Sequence, residues 1–309
     1  VCETEDNKEK ELVKDMAIAH IKASSDPIKG MANFKFVQSC KNPDQSLKEA
    51  SDDFLEIENL SGDEFQSEII NIYRHIGSIN DRNERILAKN DAVDIFKKLG
   101  HGKEREGREI FDQIKNISDG EEKNMTIDVA CEQVNAAEDP ATGMINLRFV
   151  RSWTEHGQTL KEVSDEFLSL LDVAGNKTGY SYSLKQIFNQ IFSITNPVER
   201  AMAKDDAISI FKGIGKDRGN EGKVIFEEIR KTSDTGERKK EIEIACAHMK
   251  AVNAGKNDYN IGAENFIFVK NNKQKDEDLK DASDRFLKIL SSTGNHSMKA
   301  REIFLQSSR

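Results

Sequence analysis

The sequence predicts an all-α protein, a tandem repeat of multi-helix units of roughly 113 residues arranged as a helical array or superhelix. Three observations predict it. The segment MANFKFV, Met31 to Val37, returns as MINLRFV, Met144 to Val150, and as AENFIFV, Ala263 to Val269. SDDFL at Ser51 returns as SDEFL at Ser164 and SDRFL at Ser283. AKNDAVDIFKKLG, Ala88 to Gly100, returns as AKDDAISIFKGIG, Ala203 to Gly215. EGREIFDQIK at Glu106 and EGKVIFEEIR at Glu221 then follow in turn. These steps divide the chain into two full units, 1–119 and 120–234, and a partial third, 235–309.

Each full unit reads as about six short helices. The first covers Glu11 to Ala23, with Val13, Met16, Ala17 and His20 on one face. The second opens at Asp26-Pro27, an N-cap acceptor followed by proline in the first turn, and Asp139-Pro140 repeats that signal. The third carries Leu47, Ala50, Phe54 and Ile57, matched by Leu160, Val163, Phe167 and Leu170, and by Leu279, Ala282, Phe286 and Ile289. The fourth carries Phe65, Ile69, Ile72, Tyr73 and Ile76. The fifth opens near Asp81 or Asn196-Pro197 and closes at Gly100 or Gly215, plausible C-cap glycines. The sixth carries Ile110, Phe111 and Ile114. Segments this short are unstable alone and must pack on one another.

Composition narrows the function. The formal net charge of -9 argues against nucleic acid, whose phosphates need a basic face. No run of 18 apolar residues occurs, so no membrane-spanning helix is expected. No histidine stands in a metal-ligand spacing, and the six imidazoles read as surface or core-edge groups. Gly215 to Lys223 lacks the spacing and hydroxyl of a phosphate loop and reads as a repeated turn. The acidic pairs Asp52-Asp53, Asp205-Asp206 and Glu227-Glu228 read as solvated helix faces. No catalytic, cofactor-binding or metal-binding residue is expected.

Four cysteines are present. Cys131 and Cys246 fall at one repeat position, read as that of His20, and are expected to be buried thiols too far apart to pair. The first two helices should form a hairpin that returns the chain after Cys40 towards its start, so a Cys2–Cys40 disulfide is expected. The start Val1-Cys2-Glu3 reads as a processed terminus. Glycosylation sequons stand at Asn59, Asn116, Asn124, Asn176 and Asn295. Together these favour an extracellular, secreted protein.

Some aromatic residues break the repeat. Trp153 occupies the position of Cys40, and a loop of the second unit carries Tyr180 and Tyr182. Such rings commonly anchor interfaces, so the three are candidate partner-binding residues.

The start of the chain, its acidic helical composition, its sequons and its 34.9 kDa make it resemble the mosquito 34 kDa salivary secreted protein family. That resemblance implies secretion into a host and modulation of haemostasis or immunity, with no catalytic residues. The leading expectation is a secreted binding protein that engages a host protein, glycan or cell surface. A second is a carrier of a small apolar ligand, with Phe34, Phe36, Phe54, Phe96 and Phe111 lining cavities between helices. A third is an intracellular helical-repeat scaffold.

Overall fold

The computed structural model describes the backbone of residues 2–61, 66–154, 158–175, 178–252 and 260–307, and the side chains of these apart from 2–6, 66 and 178–180. Among the described residues there are sixteen α-helices and no strand, so the all-α class holds. The first repeat holds α1 (Cys2–Ala23), α2 (Pro27–Cys40), α3 (Leu47–Ser61), α4 (Gln66–Ser78), α5 (Arg82–Leu99) and α6 (Glu104–Ile114). The second holds α7 (Gly120–Ala136), α8 (Pro140–Arg151), α9 (Leu160–Ala174), α10 (Thr178–Phe192), α11 (Pro197–Ile214) and α12 (Gly219–Ile229). The third holds α13 (Thr235–Ala251), α14 (Ile261–Asn272), α15 (Leu279–Ser292) and α16 (Ser297–Ser307).

Helix ends fall where local chemistry puts them. Asp26 Oδ1 accepts from the Ile28 amide at 2.9 Å, and Asp81 Oδ1 from the Glu84 amide at 2.9 Å. Asn196 Oδ1 accepts from Val198 at 2.9 Å, with Pro197 opening the helix behind it. Gly100 and Gly215 close α5 and α11 at φ of 78° and 91°. The turn after each is also repeated. The Gly102 amide donates to Ser61 O at 3.1 Å, and the Asp217 amide to Ala174 O at 2.8 Å. Of the segment Gly215 to Lys223 expected to be a turn, Gly215 to Arg218 form one, and Gly219 to Lys223 already belong to α12. The first helix starts earlier than its apolar stripe, at Cys2, and Glu3, Glu5, Lys8, Glu9 and Lys10 in the added stretch favour helix.

The helices fall into two compact units, Val1–Asn135 with Asp139–Arg148, and Ala136–Glu138 with Phe149–Arg309. These units do not coincide with the sequence repeats. In the first unit α1 and α2 form a hairpin, and each of α3 to α6 packs on the two helices before it. α7 joins that unit by docking on α5. Lys98 Nζ meets Asp128 at 2.6 Å, Lys123 Nζ meets Asp91 at 3.0 Å, and Asn135 donates to Lys98 O at 2.8 Å. The first helix of the second repeat is thus built into the unit of the first. In the second unit α11 to α16 follow the same rule of packing on the two helices before. There α13 docks on α11, with Arg238 Nε donating to Asp206 Oδ2 at 2.9 Å.

One ring arrangement recurs in all three repeats. Phe36, Phe54 and Tyr73 have centroids 5.3–6.2 Å apart. Phe149, Phe167 and Phe188 are 5.4–5.6 Å apart. Phe268, Phe286 and Phe304 are 5.6–6.0 Å apart. Most of these pairs are edge-on or tilted, the geometry the ring quadrupole prefers. Each triangle ties the second, third and fourth helices of its repeat together. A cation covers its half-buried ring each time: Arg74 over Phe36 at 5.5 Å, Lys185 over Phe149 at 5.8 Å, Arg301 over Phe268 at 5.5 Å.

A second constant is a glycine that lets the first two helices touch backbone to backbone. A Cβ on Gly30 would lie 2.5 Å from His20 O, and one on Gly143 2.4 Å from Val134 Cα. One on Gly262 would lie 2.9 Å from Met249 Cα. Gly143→Ala should therefore lower stability by about 1–3 kcal/mol through overpacking, although alanine is the better helix former. A urea-unfolding midpoint equal to that of the parent protein would contradict this.

Candidate functional site

The structure places the sequence-predicted site residues as follows. Trp153 lies just after α8, half-buried, with its ring 5.7 Å from that of Phe192. Phe192 in turn stacks on Phe188 at 4.0 Å. Trp153 is therefore an outer member of a packed ring cluster. Tyr182 is 69% exposed on α10. The ten residues between Tyr182 and Phe192 correspond to about 15 Å of helix. So Trp153 and Tyr182 sit at opposite ends of α10 and form no single patch. The Tyr180 side chain lies outside the described residues, as does Asn176.

The expected Cys2–Cys40 disulfide is not formed, because Cys40 is a free thiol. Helix lengths give the reason. α1 has 22 residues and its hairpin partner α2 has 14, so α1 overshoots by about 12 Å at 1.5 Å per residue. Cys40 stands level with the middle of α1, while Cys2 opens it, beyond the Cα separation a disulfide spans. Cys131 and Cys246 are free and buried, as expected. Burial pushes the Cys131 thiol up to about 12 and raises that of Cys246. Native protein without reductant should accordingly take up iodoacetamide at Cys40, while Cys131 and Cys246 react only after unfolding. Protection of Cys40 that reductant relieves would restore the disulfide. Among the sequons, Asn59, Asn116, Asn124 and Asn295 are exposed.

The register of the cysteines needs correction. Aligned by the residues against which the repeated glycine packs, His20, Gln133 and His248, Cys131 and Cys246 correspond to Ile18, not His20. His20 corresponds to Gln133 and His248, and all three are 0% exposed. These histidines are core residues rather than the surface or core-edge groups expected. His20 Nε2 is 3.0 Å from Ser51 Oγ, and His248 Nε2 is 2.8 Å from Ser283 Oγ. The serines open the repeated SDxFL blocks, so both partners were visible in the sequence. Burial lowers both imidazoles to about 4.

Two of the acidic pairs also differ from a solvated face. Asp206 is 4% and Glu228 6% exposed. Asp206 receives Arg238, itself buried; Lys270 reaches Glu228 at 3.5 Å and Glu241 at 3.0 Å. Burial raises the Asp206 carboxyl in spite of Arg238. These acids hold α11, α12, α13 and α14 together. In the first repeat Asp53 stands between Lys89, at 3.4 Å, and Gln45 Nε2, at 2.8 Å.

Family models, curated proteins and solved structures give no match to this chain.

The grooves that remain are polar. One of about 820 Å³ runs between α13 and α15, lined by acids and lysines around Ile244 and Leu279. Three of its four lysines have near acceptors: Lys270 meets Glu241, Lys280 meets Asp284 at 2.8 Å, and Lys273 Nζ donates to Glu277 O at 2.7 Å. A smaller one of about 260 Å³ between α3 and α5 pairs Arg85 with Asp44 at 2.6 Å and Lys89 with Glu56 at 2.6 Å. Acids outnumber bases in both, six to four in the larger groove and four to three in the smaller. No group of three His, Cys, Asp or Glu residues arranged to hold a metal occurs among the described residues. Of the phenylalanines considered as cavity walls, Phe34, Phe54, Phe96 and Phe111 are buried and Phe36 half-buried. They pack on other rings or on helix: Phe34 and Phe54 on His20, Phe111 on His75, and Phe96 on Gly107.

Proposed function

We propose that this protein is a secreted, non-catalytic binding module whose helical repeats present a varied outer face to a host macromolecule. One observation carries the reading. The three repeats serve as an internal comparison: the elements that pack the helices together are shared, while two exposed positions carry a different residue in each repeat. The ring triangle, the interhelical glycine and the serine of SDxFL recur and are buried or half-buried. The exposed position of Tyr182 reads Ser67 in the first repeat and Met298, 71% exposed, in the third. The exposed position of Ile145 reads Ala32 and Glu264. A shared packing scaffold with exposed positions that differ from repeat to repeat suits recognition across a helical face.

Support for secretion comes from the exposed sequon asparagines and from the resemblance to the salivary family. No helix among the described residues is long and apolar enough to cross a membrane. The host partner is a protein, glycan or cell surface, and Tyr182 is the exposed ring most suited to anchor it.

The test uses the glycosylated protein secreted from eukaryotic cells, immobilised and exposed to host plasma proteins and a glycan array. A saturable complex is expected, with Tyr182→Ala weakening it at least tenfold and leaving the melting temperature unchanged. A native mass exceeding chain plus glycans by a small molecule that leaves on denaturation would instead identify a carrier.

A further inference from the structure

We infer that the first and third repeats carry an acid-triggered release of their helical hairpins, and that the second repeat lacks it. The device is the buried histidine of α1 and α13. His20 is enclosed by α1 itself, by α2 through Phe34, with ring centroids 5.6 Å apart, and by α3 through Ser51 and Phe54, at 5.5 Å. His248 is enclosed in the same way by Phe266 of α14, at 6.4 Å, and Phe286 of α15, at 5.5 Å. Each imidazole has a single polar partner, the serine on Nε2, and each Nδ1 is buried with none.

A neutral imidazole fits this arrangement at the cost of one unmet acceptor. A protonated one donates from both nitrogens, and its buried Nδ1–H then has no acceptor. No charged group compensates. Against His20, the buried carboxylate of α3, Glu58, accepts from the amide of Asn33 on α2 at 2.7 Å. The other buried residues of α2 are Gly30, Phe34 and Val37, none of them charged. Against His248, the Glu241 of its own helix pairs with Lys270 of α14, and the buried residues of α15 are Ala282, Ser283, Phe286 and Leu290. Arg238, also on α13, is bound by Asp206. Burial alone accounts for the lowering of both histidines.

The sign follows. The folded groups hold their proton only near pH 4, while in the unfolded chain they take it up near 6.5. The unfolded or opened state therefore binds protons first, and stability present above pH 6.5 is lost as pH falls towards 4. At pH 5 each histidine shifts its local opening equilibrium by about 30-fold, before most carboxylates titrate. The second repeat has Gln133 at this place, a side chain that does not titrate.

Hydrogen exchange of the full chain, corrected for intrinsic rates and compared at pH 7.5 and pH 5, tests this. Protection should fall about 30-fold in α1–α3 and α13–α15 and stay constant in α7–α9. His20→Gln, which installs the residue of the second repeat, should abolish the loss in α1–α3 alone. Equal losses in all three repeats, or constant protection in α1–α3 of the parent protein, would overturn the inference even if the variant failed to fold. A His20→Gln protein that folds and still loses protection in α1–α3 would overturn it equally.

Discussion

The packing of three aromatic rings at one spot in every repeat is the constraint on which the other features depend. Short helices of 11–15 residues have little stability alone, so their positions must come from contacts between helices. Phe54, Phe167 and Phe286 sit at 0% exposure at the centre of each triangle. A ring on the second helix and one on the fourth reach the same central ring, so the third helix cannot rotate without separating both. Edge-to-face contact adds direction to what area burial alone leaves non-directional. The cation over the outer ring lets that ring meet solvent without leaving the cluster.

From that centre each repeat extends by the same two joints. The glycine of the second helix sets how closely the first helix approaches. The fifth helix then accepts the first helix of the next repeat through an aspartate and a base, Asp91 with Lys123 and Asp206 with Arg238. The second pair is the more buried, and such a pair fixes register more surely than it adds stability. The same joint buries Ile127 and Ile242 at equivalent positions. On α1, where the corresponding face is exposed, the residue is Lys14. The joints thus reuse one chemistry, with the polarity of each helix face following what covers it.

Much of this was legible in the sequence because it is local. Periodic apolar residues, Asp-Pro starts and glycine ends each act within one helix, and the helices follow them. The buried acids were not legible for a physical reason. α11 packs on α9, α12 and α13, so Asp206 lies inside although it stands beside other charges. An amphipathic reading assumes one wet face, and a helix surrounded in an array has little of one. Counting back from Gly30 and Gly143 matches His20 to Gln133, but a longer connection puts His248 fourteen residues before Gly262 instead of ten, so counting does not reveal the second histidine–serine bond. Matching Cys131 to His20 by its apolar surroundings instead shifted the register by two residues. The Cys2–Cys40 pairing failed on a length, since a hairpin of unequal helices does not bring their far ends together. The separation of Trp153 from Tyr182 is likewise a matter of distance along α10.

The most direct test replaces the central ring of each triangle in turn. Phe54→Ala, Phe167→Ala and Phe286→Ala, each followed by urea unfolding, should all lose about 3–5 kcal/mol, the range for a large buried ring. Three comparable losses would show that one contact holds every repeat. A loss below about 1 kcal/mol at any of the three positions, well under that range, would contradict the account.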